Sequence, residues 1–199
     1  MHNSERSRGR RTLTHLVFTL LLIIGVSVSG LALLSWTAVR PTNLGVNIGR
    51  LADCPDAPNC VSTQGDDHQH WIAPLNVLSQ STPPIAVLAD ILSRMPRTTI
   101  VQQNDHYLYA EFRSQIFRFC DDVEFFFEPE TKRVHFRSAS RVGRSDLGVN
   151  RERMEIIRVL FKEAVRTQSR AGDRPPSSGD AVSGETTESS GTASAAGRA

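Results

Sequence analysis

Residues 106–113 read His-Tyr-Leu-Tyr-Ala-Glu-Phe-Arg, and their side chains alternate between two kinds. Because successive side chains of a strand point to opposite faces, the stretch predicts a β-strand with two unlike faces. The apolar face carries Leu108, Ala110 and Phe112. The second face is polar or aromatic and carries Tyr107, Tyr109, Glu111 and Arg113. A sheet built on this strand therefore has one side that needs a covering layer.

The neighbouring segments extend this strand into a sheet. β-Branched residues at 98–103 and alternation at 122–128 and 133–139 predict three further strands. The connections between them are short, and Asn104-Asp105 is a typical turn sequence. Since short connections favour antiparallel neighbours, we expect a four-stranded antiparallel meander.

Two helical patterns flank the strands. The first begins at Pro83-Pro84, carries apolar residues at i, i+3 and i+7 counted from Ile85, and ends before Pro96. The second spans about residues 150–166 and has an apolar stripe. Both helices and the apolar strand faces need partners, and two layers are the economical arrangement. We therefore predict an α+β domain with two helices packed on one face of the sheet.

The N-terminal segment predicts one transmembrane helix. Arginines at positions 6, 8, 10 and 11 precede residues 16–39, which contain no charged side chain. A helix of that length covers the ~30 Å hydrocarbon core of a bilayer. The positive-inside rule then places the N-terminus in the cytoplasm. A signal peptide cleaved near Val28-Ser29-Gly30 is the alternative, and both interpretations export the domain.

The chain thus divides into four parts. Residues 1–15 form a basic cytoplasmic N-terminus, residues 16–39 a transmembrane signal anchor, and residues 40–169 an extracytoplasmic domain. Residues 170–199 contain almost no large apolar side chain, which predicts a disordered tail. The formal net charge of +2 does not suggest a nucleic-acid partner.

Two cysteines enclose a turn-forming segment. Cys54 and Cys60 flank Pro-Asp-Ala-Pro-Asn, and in an oxidising compartment two such thiols are expected to form a disulfide. Two reduced cysteines in a turn are the alternative. No second Cys pair or spaced His pair lies nearby, so we predict no metal site and no cofactor. Cys120 is expected to be a small buried residue.

A loop rich in arginine, serine and glycine leads into the second helix. Free N–H groups and the helix dipole favour anions at a helix N-terminus, and arginine binds carboxylate or phosphate in a bidentate manner. The sequence therefore predicts an anion-binding loop. The candidate ligand-binding residues are Arg137, Ser138, Ser140, Arg141, Arg144, Ser145, Asp146, Asn150 and Arg151. The alternative is an internal network in which Asp121, Asp122 and Asp146 satisfy the arginines.

Two further hypotheses rest on the second face of the sheet. Asp122 and Glu124 share that face, and paired carboxylates can perform acid–base catalysis, so they are the candidate catalytic residues of an envelope hydrolase. Surface charge beside arginine is the alternative. The other hypothesis is a scaffold that contacts another membrane protein through Tyr107, Tyr109 and Phe126.

Four ordered segments resemble a known family. They are Leu51-Ala-Asp-Cys-Pro-Asp-Ala-Pro-Asn-Cys-Val-Ser62, Ile72-Ala-Pro-Leu75, Asp121-Asp-Val-Glu-Phe125 and Arg137-Ser-Ala-Ser-Arg-Val-Gly-Arg-Ser-Asp-Leu-Gly-Val-Asn-Arg-Glu-Arg153. Over roughly residues 45–163 the chain resembles the domain-of-unknown-function 1499 family, DUF1499. The resemblance implies a bacterial envelope or organelle protein, in some members anchored in the membrane. It implies no activity and no catalytic residue.

Together these features predict a single-pass protein of the cell inner membrane whose C-terminal domain lies on the periplasmic side. We expect a non-enzymatic domain that binds an anionic ligand or a partner protein of the envelope. The hydrolase and the scaffold remain the alternatives.

Overall fold

The computed structural model describes residues 2–77 and 83–172. Within this part of the chain there are three helices and six strands. In chain order they are α1 (His2–Trp36), β1 (Cys60–Ser62), β2 (Leu75–Asn76), α2 (Pro84–Ser93), β3 (Thr98–Gln103), β4 (Tyr107–Arg113), β5 (Cys120–Glu128), β6 (Arg133–Ser140) and α3 (Val149–Gly172). The predicted tail, residues 170–199, lies outside the described residues from position 173 onward, and residues 170–172 continue α3.

The first helix covers residues 16–36 of the predicted span, which was expected to continue to residue 39. Within α1, Leu13–Leu33 has a mean hydropathy of 2.5, and none of its most apolar window is buried against the rest of the protein. The helix is thus long and apolar enough to cross a membrane. A signal sequence near an N-terminus has the same length and composition, so α1 is a possible anchor.

The named strands form one antiparallel sheet in the order β1-β6-β5-β4-β3. The strand β2 pairs with the first residues of β6, and β1 pairs with its last residues. The four predicted strands are present as β3 to β6, but the predicted count of four is wrong because β1 and β2 join the edge of the sheet at β6. These two strands have only three and two residues, and a period-two pattern cannot be recognised over so few positions.

The core lies between the sheet and the helices α2 and α3. The apolar faces predicted from alternation point into it, and Phe125 and Phe136 are fully buried there. Leu88 and Leu92 of α2 and Met154, Ile157 and Phe161 of α3 pack against the same core. The apolar stripes of both helices therefore lie where the sequence pattern indicated.

The second face of the sheet is covered by the segment that follows α1. Residues 40–53, here called the arm, lie over this face, and Leu44 and Leu51 pack against Tyr107 and Tyr109. Charged side chains are mostly exposed in proteins, so the alternation pattern indicated that this charged face is open to solvent. That expectation is wrong, since the arm buries the aromatic and charged residues beneath it.

The predicted disulfide is present between Cys54 and Cys60. Their Cα atoms are 5.7 Å apart, and the alternative of two reduced cysteines is not found. Cys60 is the first residue of β1, so the bond fastens the end of the arm segment to the edge of the sheet.

We expect replacement of Cys54 by Ser to lower the free energy of unfolding by about 2 kcal/mol, because the bond closes only a short loop. Urea denaturation monitored by tryptophan fluorescence measures the change. Reductant should lower the free energy of unfolding of the wild type by a similar amount, seen as a lower urea midpoint, and should leave the variant unaffected. A wild-type midpoint that does not respond to reductant would contradict this contribution.

Candidate functional site

Arg141 is the centre of a buried ion network on the face beneath the arm. Its Nε donates to Asp122 Oδ2 at 2.9 Å and its Nη2 donates to Glu111 Oε1 at 2.6 Å. The hydroxyl of Tyr109 donates to Asp122 Oδ1 at 2.6 Å. Strand register brings these groups together, because Glu111 lies opposite Asp122 in the β4–β5 pair. We call these four residues the Arg141 network.

The arm is fastened to this face by polar contacts at two levels of the sheet. Arg40, which follows α1, donates to Glu111 Oε1 at 2.6 Å. The backbone N–H of Gly45 donates to Glu124 Oε1 at 2.6 Å, and the hydroxyl of Tyr107 donates to the same oxygen at 2.7 Å. One candidate catalytic carboxylate, Glu124, thus holds the arm in place.

Glu124 and Arg137 form the least satisfied pair on this face. Arg137 Nη1 lies 3.5 Å from Glu124 Oε2, and the side chains are only 5 % and 0 % exposed. Within the described part of the chain, Glu124 Oε2 and the Nε and Nη1 atoms of Arg137 have no hydrogen-bond partner. Leaving buried polar atoms unpaired destabilises a fold, so this pair contributes less than the Arg141 network.

The network fixes the charge of its members. Burial opposes ionisation of Glu111, but hydrogen bonds from Arg141 and Arg40 outweigh it and lower the pKa of Glu111 to about 2. The hydrogen bond to Asp122 raises the pKa of Arg141 above its ordinary value. Burial, followed by the hydrogen bond to Asp122, raises the pKa of Tyr109. Near neutral pH the face therefore holds an ionised Arg141–Glu111 pair beside a neutral tyrosine hydroxyl.

Cys120 lies beside two carboxylates of the network. One potential ligand atom each from Glu111, Cys120 and Asp122 lies within 4.8 Å of the others, a spacing that can suit a metal ion. The guanidinium of Arg141, however, donates to both carboxylates and is the cation that they hold. Burial also raises the pKa of the Cys120 thiol to about 11, which keeps it protonated near neutral pH. The arrangement favours an internal ion pair over a metal centre.

A second polar network lies on the opposite side of the sheet, at the start of α3. Asn150 is fully buried and accepts a hydrogen bond from Ser138 Oγ at 2.5 Å. Its amide donates to Ser140 Oγ at 3.0 Å and to the carbonyl oxygen of Asn59 at 2.9 Å. Asp146 accepts a hydrogen bond from the backbone N–H of Asn150 at 2.7 Å. These contacts join β1, β6 and α3 around the helix N-terminus.

The nine predicted ligand-binding residues are therefore not brought together. Strand alternation places Arg137 and Arg141 beneath the arm, whereas Ser138, Ser140 and Asn150 lie on the helix side. Arg151 donates to the carbonyl oxygens of Gln69 and Trp71. Ser145 is exposed and accepts a hydrogen bond from the backbone N–H of Leu147 at 3.3 Å. Arg144 is exposed and makes no hydrogen bond or ion pair with another described residue.

The alternative interpretation of the loop, in which aspartates satisfy its arginines, holds for Arg141, which binds Asp122. Asp121 points to the helix side and accepts a hydrogen bond from Arg153 at 2.5 Å, an arginine outside the predicted set. Sequence reasoning missed Arg40 and Gly45. They lie 71 and 79 residues from the carboxylates that they contact, and no local pattern connects positions so distant.

Fold and site together define a small disulfide-linked α+β domain that follows an N-terminal apolar helix and is held together by two buried polar networks. The family model described as "Protein of unknown function (DUF1499)" matches residues 50–161, and the chain belongs to this family. The match confirms the resemblance inferred from the motifs. No curated protein and no solved structure matches the chain.

The depressed pKa of Glu111 predicts a pH-dependent stability. Its folded pKa of about 2 lies below the ordinary value of 4.5, so its contribution is complete above pH 4.5 and is lost as the pH falls toward 2. The contribution amounts to at most about 3 kcal/mol. We expect Glu111→Gln to flatten the fall of the melting temperature over this window. Glu130→Gln, at an exposed position, is the matched control; an equal flattening in both variants would contradict the assignment.

Proposed function

We propose that the protein is a non-enzymatic domain of the cell envelope, anchored by α1 in the inner membrane and exposed on the periplasmic side. The arginines in the first turns of α1, which precede its uncharged apolar segment, support this orientation. The Cys54–Cys60 disulfide supports an oxidising compartment for the domain.

The non-enzymatic assignment rests on the burial of the two candidate catalytic carboxylates, Asp122 and Glu124, beneath the arm. Asp122 and Glu124 are 1 % and 0 % exposed. Both oxygens of Asp122 accept hydrogen bonds from Arg141, and Oδ1 also accepts one from Tyr109. Glu124 Oε1 accepts hydrogen bonds from Tyr107 and from the Gly45 N–H. A general acid or base must come within hydrogen-bonding distance of its substrate. The arm lies between these carboxylates and solvent, where a substrate would have to reach them. No comparable observation favours the hydrolase hypothesis.

The ligand in this proposal is anionic. In the loop between β6 and α3, Arg144 and Ser145 are exposed, and Gly143 adopts a left-handed conformation that presents the turn to solvent. The scaffold alternative relied on Tyr107, Tyr109 and Phe126. The arm packs on these residues, so a partner protein would have to displace it.

A test of the catalytic assignment is Asp122→Asn. We expect this change to lower the free energy of unfolding by about 2–3 kcal/mol, because a hydrogen-bonded charge pair with Arg141 is weakened in a buried setting. Thermal unfolding of the purified protein measures the loss. Unchanged thermal stability together with loss of a hydrolytic activity would favour the hydrolase instead.

The proposed topology has a separate test. In intact spheroplasts, external protease should digest the domain, and the mass of the full-length protein should include the segment before Leu13. A cytoplasmic protein of the same cells is the control for membrane integrity. A mature N-terminus near Gly30 would identify α1 as a cleaved signal peptide, and full protection from protease would contradict the periplasmic assignment.

A further inference from the structure

A groove lies between α3 and residues 73–76, which include β2. Its cavity volume of about 480 Å³ falls in the range of about 300–1,000 Å³ typical of small-molecule sites. Leu75 and Phe161 form a buried apolar floor, and the half-buried Val165 continues it along α3. The Arg141 network contributes no residue to this groove, which is therefore separate from the candidate site described above.

A row of cations borders the apolar floor. Arg158, Lys162 and Arg166 follow one another at intervals of four residues, so they lie on the same side of α3. Arg158 is held in place, since it pairs with Glu155 at 3.0 Å and donates to two backbone carbonyl oxygens of the opposite wall. Lys162 and Arg166 are exposed and have no hydrogen bond or ion pair to other described residues.

The helix dipole does not account for these cations. Like charges four residues apart destabilise a helix, and the dipole favours cations only in the last turn. The helix α3 continues to Gly172, well beyond Lys162 and Arg166. An anion bound between the two side chains would offset their repulsion.

We propose that the groove binds one long-chain fatty carboxylate. The acyl chain lies on the floor of Leu75, Phe161 and Val165, and the carboxylate lies between Lys162 and Arg166. An apolar floor beside a few convergent cations matches a molecule with one apolar and one anionic end. The inference goes beyond the proposed function, because the groove is a second candidate anion site, separate from the loop that carries Arg144 and Ser145.

The position of the groove favours binding of a single ligand molecule rather than contact with the surface of a bilayer. The strand β2 pairs with β6 at Val134, whereas the contact of Arg40 with Glu111 lies level with Ala139. Five residues of a strand span about 17 Å, so the groove is well separated from the level at which the segment after α1 is fastened. A cavity of this size also suits one acyl chain better than the two chains of a phospholipid.

The test uses the full-length protein in its native membranes. Membranes are incubated with palmitate that carries a photoactivatable diazirine near the end of its chain, irradiated, and the labelled peptides are mapped by mass spectrometry. We expect label in the peptides that contain Leu75 or residues 161–166. Excess palmitate should compete for this label, whereas dodecyltrimethylammonium, an amphiphile with a cationic head, should not.

Matched variants test whether binding depends on the charged groups that contact the carboxylate as well as on the apolar floor that contacts the acyl chain. Replacing Lys162 and Arg166 together by Ala should lower labelling of the groove about tenfold, because the carboxylate loses both charged donors. Exchanging the two residues as Lys162→Arg and Arg166→Lys should retain labelling. Arg94→Ala, at an exposed arginine directly after α2, should leave labelling unchanged, and melting temperatures confirm that every variant is folded.

Four results would overturn the inference. These are label confined to α1, equal competition by the cationic amphiphile, undiminished labelling in the double alanine variant, and covalent dimers joined through the groove, which would assign it to a second copy. None of them affects the protease and N-terminal mass measurements, which test the proposed topology separately. Conversely, groove labelling in a domain protected from external protease would leave this inference standing and contradict the proposed function.

Discussion

The guanidinium of Arg141 lies where the sheet and the arm meet, and the arrangement of both depends on its contacts. It joins the loop after β6 to Glu111 of β4 and Asp122 of β5, while Arg40 of the arm shares Glu111 with it. Replacing such a buried cluster with apolar residues is often tolerated in proteins, so its stabilising effect alone does not explain it. The cluster has a larger effect on the pairing register of the strands than on stability. A slip of one residue in β4 or β5 would move these charges into the apolar core.

The two motifs of the family resemblance that lie furthest apart in the chain meet at the start of α3. Asn59 belongs to the first motif, and its carbonyl oxygen accepts a hydrogen bond from Asn150 of the last one. The side-chain amide of Asn59 donates in turn to the carbonyl oxygen of Gly143 at 2.6 Å. Several polar residues of these motifs thus hold the start of β1, β6 and α3 together. A motif whose polar groups form hydrogen bonds within the protein identifies the fold, but it does not indicate which ligand the protein binds.

Alternation and helical periodicity predicted the strands β3 to β6, their inward faces and the stripes of α2 and α3, because those features depend on local spacing. The short strands β1 and β2 and the arm could not be predicted, since Arg40 and Gly45 find their partners far along the chain. The nine residues of the predicted binding loop are distributed over both sides of the sheet for another reason. Neighbouring strand residues such as Arg137 and Ser138 point to opposite faces, and the alternation that placed Asp121 and Asp122 apart separates these two as well.

The buried networks and the groove beside α3 differ in the state of their cations. Arg141 and Arg153 have carboxylates within hydrogen-bonding distance, so folding itself satisfies them. Lys162 and Arg166 are exposed at the border of an apolar floor, and neither forms an ion pair with a described carboxylate. Surface charge maintains solubility wherever it is placed, so solubility alone does not require two cations one turn apart beside buried apolar side chains. The groove therefore combines an apolar floor with cations that have no described counterion, which is the property that a binding site needs and a structural network lacks.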